Sequence, residues 1–147
     1  MAAKPIPDGY HAVTPYLMVA GAQKFIDFMT TVFGASVREQ MKRPDGRIGH
    51  TELVLGDSMV MLSDADGEHP ATPVMLHVYV DDADAAFERA VRAGGSVVAP
   101  ITNQFYGDRS GGVKEPAGNT IWIATHVEDV APDELQRRAA EAMKGKR

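Results

Sequence analysis

The stretch HVYVDDADAAFERAVRAGG (77–95) repeats the pattern of YLMVAGAQKFIDFMTTVFG (16–34). Each begins as a short strand-like run ending on a valine, passes through apolar residues at helical spacing, and is closed by a glycine. Val19 and Val80 lie 61 positions apart, and so do Gly34 and Gly95. The same offset sets Met61 on Trp122, inside two further strand-like runs, MVMLS (59–63) and TIWIA (120–124). Segment 14–63 therefore maps onto 75–124, each half reading strand, helix, strand, strand, strand. A unit this long, present only twice, is not a solenoid repeat. The expectation is an α+β fold of two paired βαβββ modules, over 12–64 and 73–126, whose curved sheets form a ligand-binding cleft. An N-terminal arm (1–11) and a C-terminal helix and tail (131–147) flank them.

Local signals agree with this division. In the first half, Ala22, Phe25, Ile26, Met29, Val32 and Phe33 form one helical face, and Gly34 suits the position just past the helix end. Gly56-Asp57 between IGHTELVL and SMVMLS reads as a two-residue hairpin turn. In the second half, Asp82 is a helix cap before Ala83, Ala86, Phe87 and Ala90, and strands are expected near 96–99, 111–115 and 119–125. Pro132 at a first helical position, acids behind it and a KGKR end describe a terminal helix matched to its own dipole.

The 147 residues suffice for a real core, with 44% apolar and 24% charged residues as in ordinary soluble proteins. A net charge of −5 argues against nucleic acid or an anionic membrane surface as partner. The chain has no cysteine, which excludes disulfides, thiolate nucleophiles and cysteine zinc sites. The opening MAAKPIPDGYH lacks the apolar run of a signal peptide, so the cytoplasm is the expected location.

Side chains alternate along strands, so each strand sorts into two faces. One set, including Leu17, Val19, Val60, Leu62, Leu76, Val78, Ile121 and Ile123, is aliphatic and belongs under the helices. The other reads Thr14, Tyr16, Met18; Met59, Met61, Ser63; Met75, His77, Tyr79; Thr120, Trp122, Ala124. Apolar bulk with a few polar anchors is the make-up of a small-molecule site. The first hairpin turn sets Glu52 opposite Met61 and His50 opposite Ser63, adding both to the cleft. With the same parity, Glu115 faces Thr120, Val113 faces Trp122, and Arg109 comes near His126 at the polar side of the cleft. One pocket lined by Tyr16, Met18, Met61, His77, Tyr79 and Trp122 is expected.

YGDRSGGVKEPAGNTIWIATHVEDV (106–130) resembles the PhnB-like, glyoxalase/bleomycin-resistance-like branch of the vicinal oxygen chelate superfamily. IGHTELVLGDSMVMLSD (48–64) and the 77–95 stretch support the resemblance, which covers about 12–130. It implies two βαβββ modules and a homodimer, sometimes with modules exchanged between chains. It also implies a divalent metal held by residues of the first and last strand of each module. The matching residues here are Thr14, Met61, Met75 and Trp122, poor ligands for a hard or borderline ion. That departure favours a metal-independent binding protein, without cofactor, for an aromatic or cationic compound, with Tyr16, Tyr79 and Trp122 as stacking walls. The alternative is a metal-dependent lyase, isomerase or dioxygenase with a displaced site on His50, Glu52 and His77. Otherwise Glu52 accepts hydrogen bonds from neighbours and the histidines are satisfied wall residues. Arg109 reads either as a contact for an anionic ligand or as one half of a local Asp–Arg pair.

Overall fold

The computed structural model describes residues 2–145; Met1, Lys146 and Arg147, the last two within the expected tail, lie outside it. The first half contains β1 (Tyr16–Val19), α1 (Ala22–Phe33), β2 (Ser36–Lys42), β3 (Ile48–Leu55) and β4 (Ser58–Asp64). The second contains β5 (Met75–Tyr79), α2 (Ala83–Arg92), β6 (Ser96–Asn103), β7 (Asp108–Lys114) and β8 (Thr120–His126). Helix α3 (Pro132–Lys144) follows. Each half forms a four-stranded mixed sheet, in the orders β1-β4-β3-β2 and β5-β8-β7-β6. Among the described residues no helix is long and apolar enough to cross a membrane.

The 61-residue offset holds down to single contacts. Tyr16 pairs with Met61 across β1 and β4, and His77 pairs with Trp122 across β5 and β8. Asp64, ending β4, accepts the first helical N–H of α1 from Ala22 at 2.8 Å. Its offset partner Thr125, on β8, accepts the equivalent N–H of α2 from Ala83 at 2.9 Å. Both helix N-termini are thus satisfied by the last strand of their own module, which ties helix to sheet. Asp82 caps α2 as expected, accepting from the Ala85 N–H at 3.1 Å. Gly34, at φ 69, returns its N–H to Met29 and Thr30 carbonyls, a left-handed closure for which glycine carries no Cβ penalty.

The aliphatic faces of both sheets and both helices share one core, built on Leu17, Phe25, Met29, Leu53, Leu62, Val113, Ile121 and Ile123. Each large aliphatic side chain buried there contributes roughly 1.5–3 kcal/mol. The buried residues of α2 are alanines 83, 86 and 90. They let α2 approach closely, and the modules meet chiefly through α1 against α2. Arg89 of α2 fastens that contact by donating to the Val32 carbonyl at 3.0 Å.

The first hairpin has the expected register, Leu55 opposite Ser58 and Glu52 opposite Met61. The second does not. Lys114, not Glu115, pairs with Thr120, so Val113 faces Ile121, Gly112 faces Trp122, and Arg109 faces Thr125. Glu115 leaves the ladder because it is needed in the turn. Its buried carboxylate accepts from the Ala117 and Asn119 N–H groups, both at 2.7 Å, and from Asn119 Nδ2 at 2.9 Å. Asn119 in turn accepts the Val74 N–H at 3.0 Å. The loop between the paired residues, 115–119, is one residue longer than expected, and every side chain of β7 changes face relative to that expectation. The strand also runs earlier than expected, from Asp108, and β6 runs on to Asn103.

Candidate functional site

The face sorting holds in both modules. Along β5, Met75, His77 and Tyr79 are exposed while Leu76 and Val78 are partly buried against the core. Along β1, Tyr16 is 47% exposed and Leu17 and Val19 are buried. The modules meet through their helices, so neither mixed face is roofed by the other sheet.

On the first sheet, the Tyr16 hydroxyl meets His50 Nδ1 at 3.2 Å and the rings sit 5.7 Å apart. Ser63 donates to the Met18 sulfur at 3.3 Å. Glu52 lies opposite Glu39 on β2. The N-terminal arm crosses this face. Arg38 holds it, donating to the Asp8 carbonyl at 2.7 Å and standing over the Tyr10 ring at 5.6 Å. Beneath the arm is a cavity of about 410 Å³ that reaches Glu52 and Met61. The sequence held no signal that this irregular segment would lie on the sheet.

On the second sheet, Trp122 lies against β7 at Gly112. A Cβ added at Gly112 would stand 3.2–3.4 Å from three atoms of the indole, Cε2, Cδ2 and Cζ2. The ring is therefore laid on the backbone, and a Cβ at 112 would have to lift it by a few tenths of an ångström. Next to it, Tyr79 crosses β8 above the fully buried Ala124 and donates to Asp108 Oδ2 on β7 at 2.8 Å. The His77 ring lies 4.9 Å from that of Tyr79. Asp108, 3% exposed, also meets His126 Nδ1 at 2.8 Å, and His126 Nε2 meets Asp129 at 2.7 Å. Burial alone would raise the Asp108 carboxyl, but the bonds from His126 and Tyr79 outweigh it and hold it below the ordinary value. The same carboxylate raises Tyr79, and Asp108 with Asp129 raises His126. The expected register puts Asp108 on the opposite face, so the sequence reading does not include it in the site.

Two sequence expectations are corrected by these positions. Arg109 is not at the cleft: it faces the helix side, where its guanidinium makes two bonds to Asp84 of α2, at 2.7 and 2.9 Å. Its carboxylate partner is thus in the helix rather than beside it in the chain. Nor do Tyr16, Met18, Met61, His77, Tyr79 and Trp122 line one pocket. A cavity of about 680 Å³ between the modules joins Thr14 and Met59 to His77 and Tyr79, the smaller one reaches Met61, and Tyr16, Met18, His50 and Trp122 line neither. The arm and the helix-to-helix contact divide what alternation alone would unite.

A divalent metal fits neither constellation. Thr14, Met61, Met75 and Trp122 offer one hydroxyl, two thioethers and an indole, not the imidazole and carboxylate donors such an ion takes. His50 and Glu52 stand on the first sheet and His77 on the second, so the displaced triad is not assembled. Among the described residues no group of three or more His, Asp or Glu side chains is gathered for an ion.

Residues 10–123 match the sequence profile of the Glyoxalase/Bleomycin resistance protein/Dioxygenase superfamily. An uncharacterized protein of Mycobacterium bovis, Mb0911c, is 35% identical over 136 residues, spanning 85% of this chain and 90% of that protein. Among solved structures, TioX from Micromonospora sp. ML1 superposes with a TM-score of 0.66 at 24% identity, over 80% of this chain and 99% of its own. TnmS3, an antibiotic binding protein from Streptomyces sp. CB03234, does so with a TM-score of 0.63 at 22% identity, over 86% of this chain and 98% of its own. At these identities the two structural likenesses concern the fold alone.

Proposed function

Because the chain belongs to the glyoxalase/bleomycin resistance protein/dioxygenase superfamily, we propose that it is a metal-independent small-molecule-binding protein. Its ligand is an aromatic or cationic compound held on the mixed face of the second sheet and enclosed by a second copy of the chain. The observation that carries this reading is Trp122 laid flat on Gly112 beside Tyr79 and His77. A partly buried indole laid on the sheet offers stacking area at little ordering cost, because the sheet already fixes the ring. The antibiotic-binding description of TnmS3 is in keeping with it.

Capture of this kind needs no bond to be made or broken. The platform supplies apolar area, His77 and Tyr79 supply polar edges, and Glu52 and Glu39 give the first sheet's face a negative charge suited to a cationic group. The homodimer is part of the proposal because Tyr16, Met75 and Tyr79 stand open in the single chain. The first sheet's residues Tyr16, Met18, His50, Glu52 and Met61 then serve as the opposing wall.

The test is binding of a panel of polycyclic aromatic antibiotics, followed by quenching of Trp122, the single tryptophan. Trp122→Ala, scored by calorimetry, should lose at least tenfold in affinity, about 1.4 kcal/mol, while still folding. Full affinity in that variant would overturn the proposal. Protein purified without a histidine tag should carry far less than one equivalent of metal, and chelator should leave its Tm unchanged, since a tightly bound ion would stabilise the native state. Stoichiometric metal would return the enzyme reading.

A further inference from the structure

We infer that Tyr79 and Asp108 fix the hydrogen-bond polarity of the second sheet's face, so that its ligand is a flat aromatic compound bearing a hydrogen-bond donor, which the Tyr79 phenolic oxygen accepts. This rests on the binding function proposed above and adds a requirement on the ligand's chemistry.

His126 sets the distribution of protons on this face. Both its ring nitrogens face carboxylate oxygens, Asp108 at 2.8 Å and Asp129 at 2.7 Å. Ionised carboxylates only accept, so these two partners favour a proton on each ring nitrogen and raise His126 toward the imidazolium form. That cation stands against Asp108 and keeps it ionised even though the carboxylate is almost fully buried. Asp108 therefore also only accepts, and the single proton of Tyr79 is committed to it across 2.8 Å. A phenol has one donor and two acceptor positions. With its donor spent inward, what Tyr79 turns toward the open side is lone-pair density, and the residue is 62% exposed. A ligand group that meets this oxygen must bring its own N–H or O–H.

Position makes the meeting natural. Trp122 and Ala124 are neighbours on one face of β8; the indole lies over Gly112, and Tyr79 passes over Ala124 on its way to Asp108. A planar ligand stacked on the indole has an edge directed at the Tyr79 hydroxyl. The directions in which Tyr79 and His126 are raised and Asp108 lowered agree with this distribution of protons. Asp108 is a positioning residue here, since it acts through Tyr79 and is itself out of reach.

The test uses two probes that differ in one hydrogen-bond donor, 7-hydroxycoumarin and 7-methoxycoumarin, with Trp122 quenching as readout, near pH 6.5 where the imidazolium is retained. Wild type should bind the hydroxy probe about three- to tenfold more tightly, the worth of one net hydrogen bond. Tyr79→Phe should bind both probes with equal affinity, at a level near that of wild type for the methoxy probe. Asp108→Asn, which frees Tyr79 from an acceptor-only partner, should narrow the preference as well. Equal affinity of wild type for both probes, or a preference kept intact in Tyr79→Phe, would overturn the donor requirement and leave the binding function standing. Failure of both probes to quench Trp122 would instead sink the binding function for flat aromatics, and this inference with it.

Discussion

Gly111 and Gly112 are adjacent on β7 and point to opposite faces, which makes them a paired test of the register. At Gly111 a Cβ would come within 2.9 Å of the Ala99 carbonyl oxygen, the Ile101 nitrogen and Phe87 Cε2. Two of those atoms are backbone of the neighbouring strand and cannot yield. Gly111→Ala should therefore destabilise the protein by about 1–3 kcal/mol. For a chain of this size that lowers Tm by roughly 2–4 °C per kcal/mol. At Gly112 the contacts are 3.2–3.4 Å and all belong to one side chain, Trp122, which is only partly buried. The indole lifts by a few tenths of an ångström, and the strand gains the roughly 0.5–1 kcal/mol that alanine holds over glycine in a regular element. Gly112→Ala should leave stability within about 1 kcal/mol of wild type yet shift the emission of the single tryptophan. Gly112→Val, with two further methyl groups, should cost about 1–3 kcal/mol and abolish aromatic stacking. Chemical denaturation and Trp emission spectra of the three variants decide the matter. Equal costs at 111 and 112, or unchanged emission in Gly112→Val, would mean that Trp122 does not lie on Gly112, and the platform would fall.

Three further outcomes follow from the same contacts. The raised His126 contributes stability fully present below its unfolded value near 6.5 and lost as pH rises through its folded value; the lowered Asp108 contributes above about 3.9 and is lost as pH falls. The Tm difference between wild type and His126→Asn should accordingly be largest between about pH 4 and 6.5 and shrink at alkaline pH; a difference that grows above pH 8 would contradict the cluster. Arg109→Ala breaks the part-exposed pair with Asp84 and should lower Tm slightly, with no change in coumarin affinity, whereas a loss of affinity would restore Arg109 to the cleft. Light scattering at low micromolar concentration should give about twice the 15.8 kDa chain mass; a fully folded monomer at that concentration would refute the dimer.

The sequence by itself determined the two-module plan, because its signals are local and periodic. Alternation marks strands, helical spacing marks α1 and α2, and the 61-residue offset equates Tyr16 with His77 and Met61 with Trp122, as the ladders confirm. It also determined which face of β1, β4, β5 and β8 is aliphatic, since side chains alternate with the pleat. Only tertiary structure decided the face of β7. That depended on Glu115 leaving the ladder to satisfy the N–H groups of a turn, a competition between hydrogen-bond partners that no periodicity records. Asp108 rather than Arg109 came to the mixed face as a result, and with it the Tyr79–Asp108–His126 chain, whose members are 18 to 47 residues apart in sequence. The N-terminal arm was decided in the same way. Nothing in its composition favours the sheet; the guanidinium of Arg38, 30 residues from Asp8, holds it there. Patterns within a segment follow from backbone geometry and burial, whereas contacts between segments depend on which partner each polar group finds once the chain has closed.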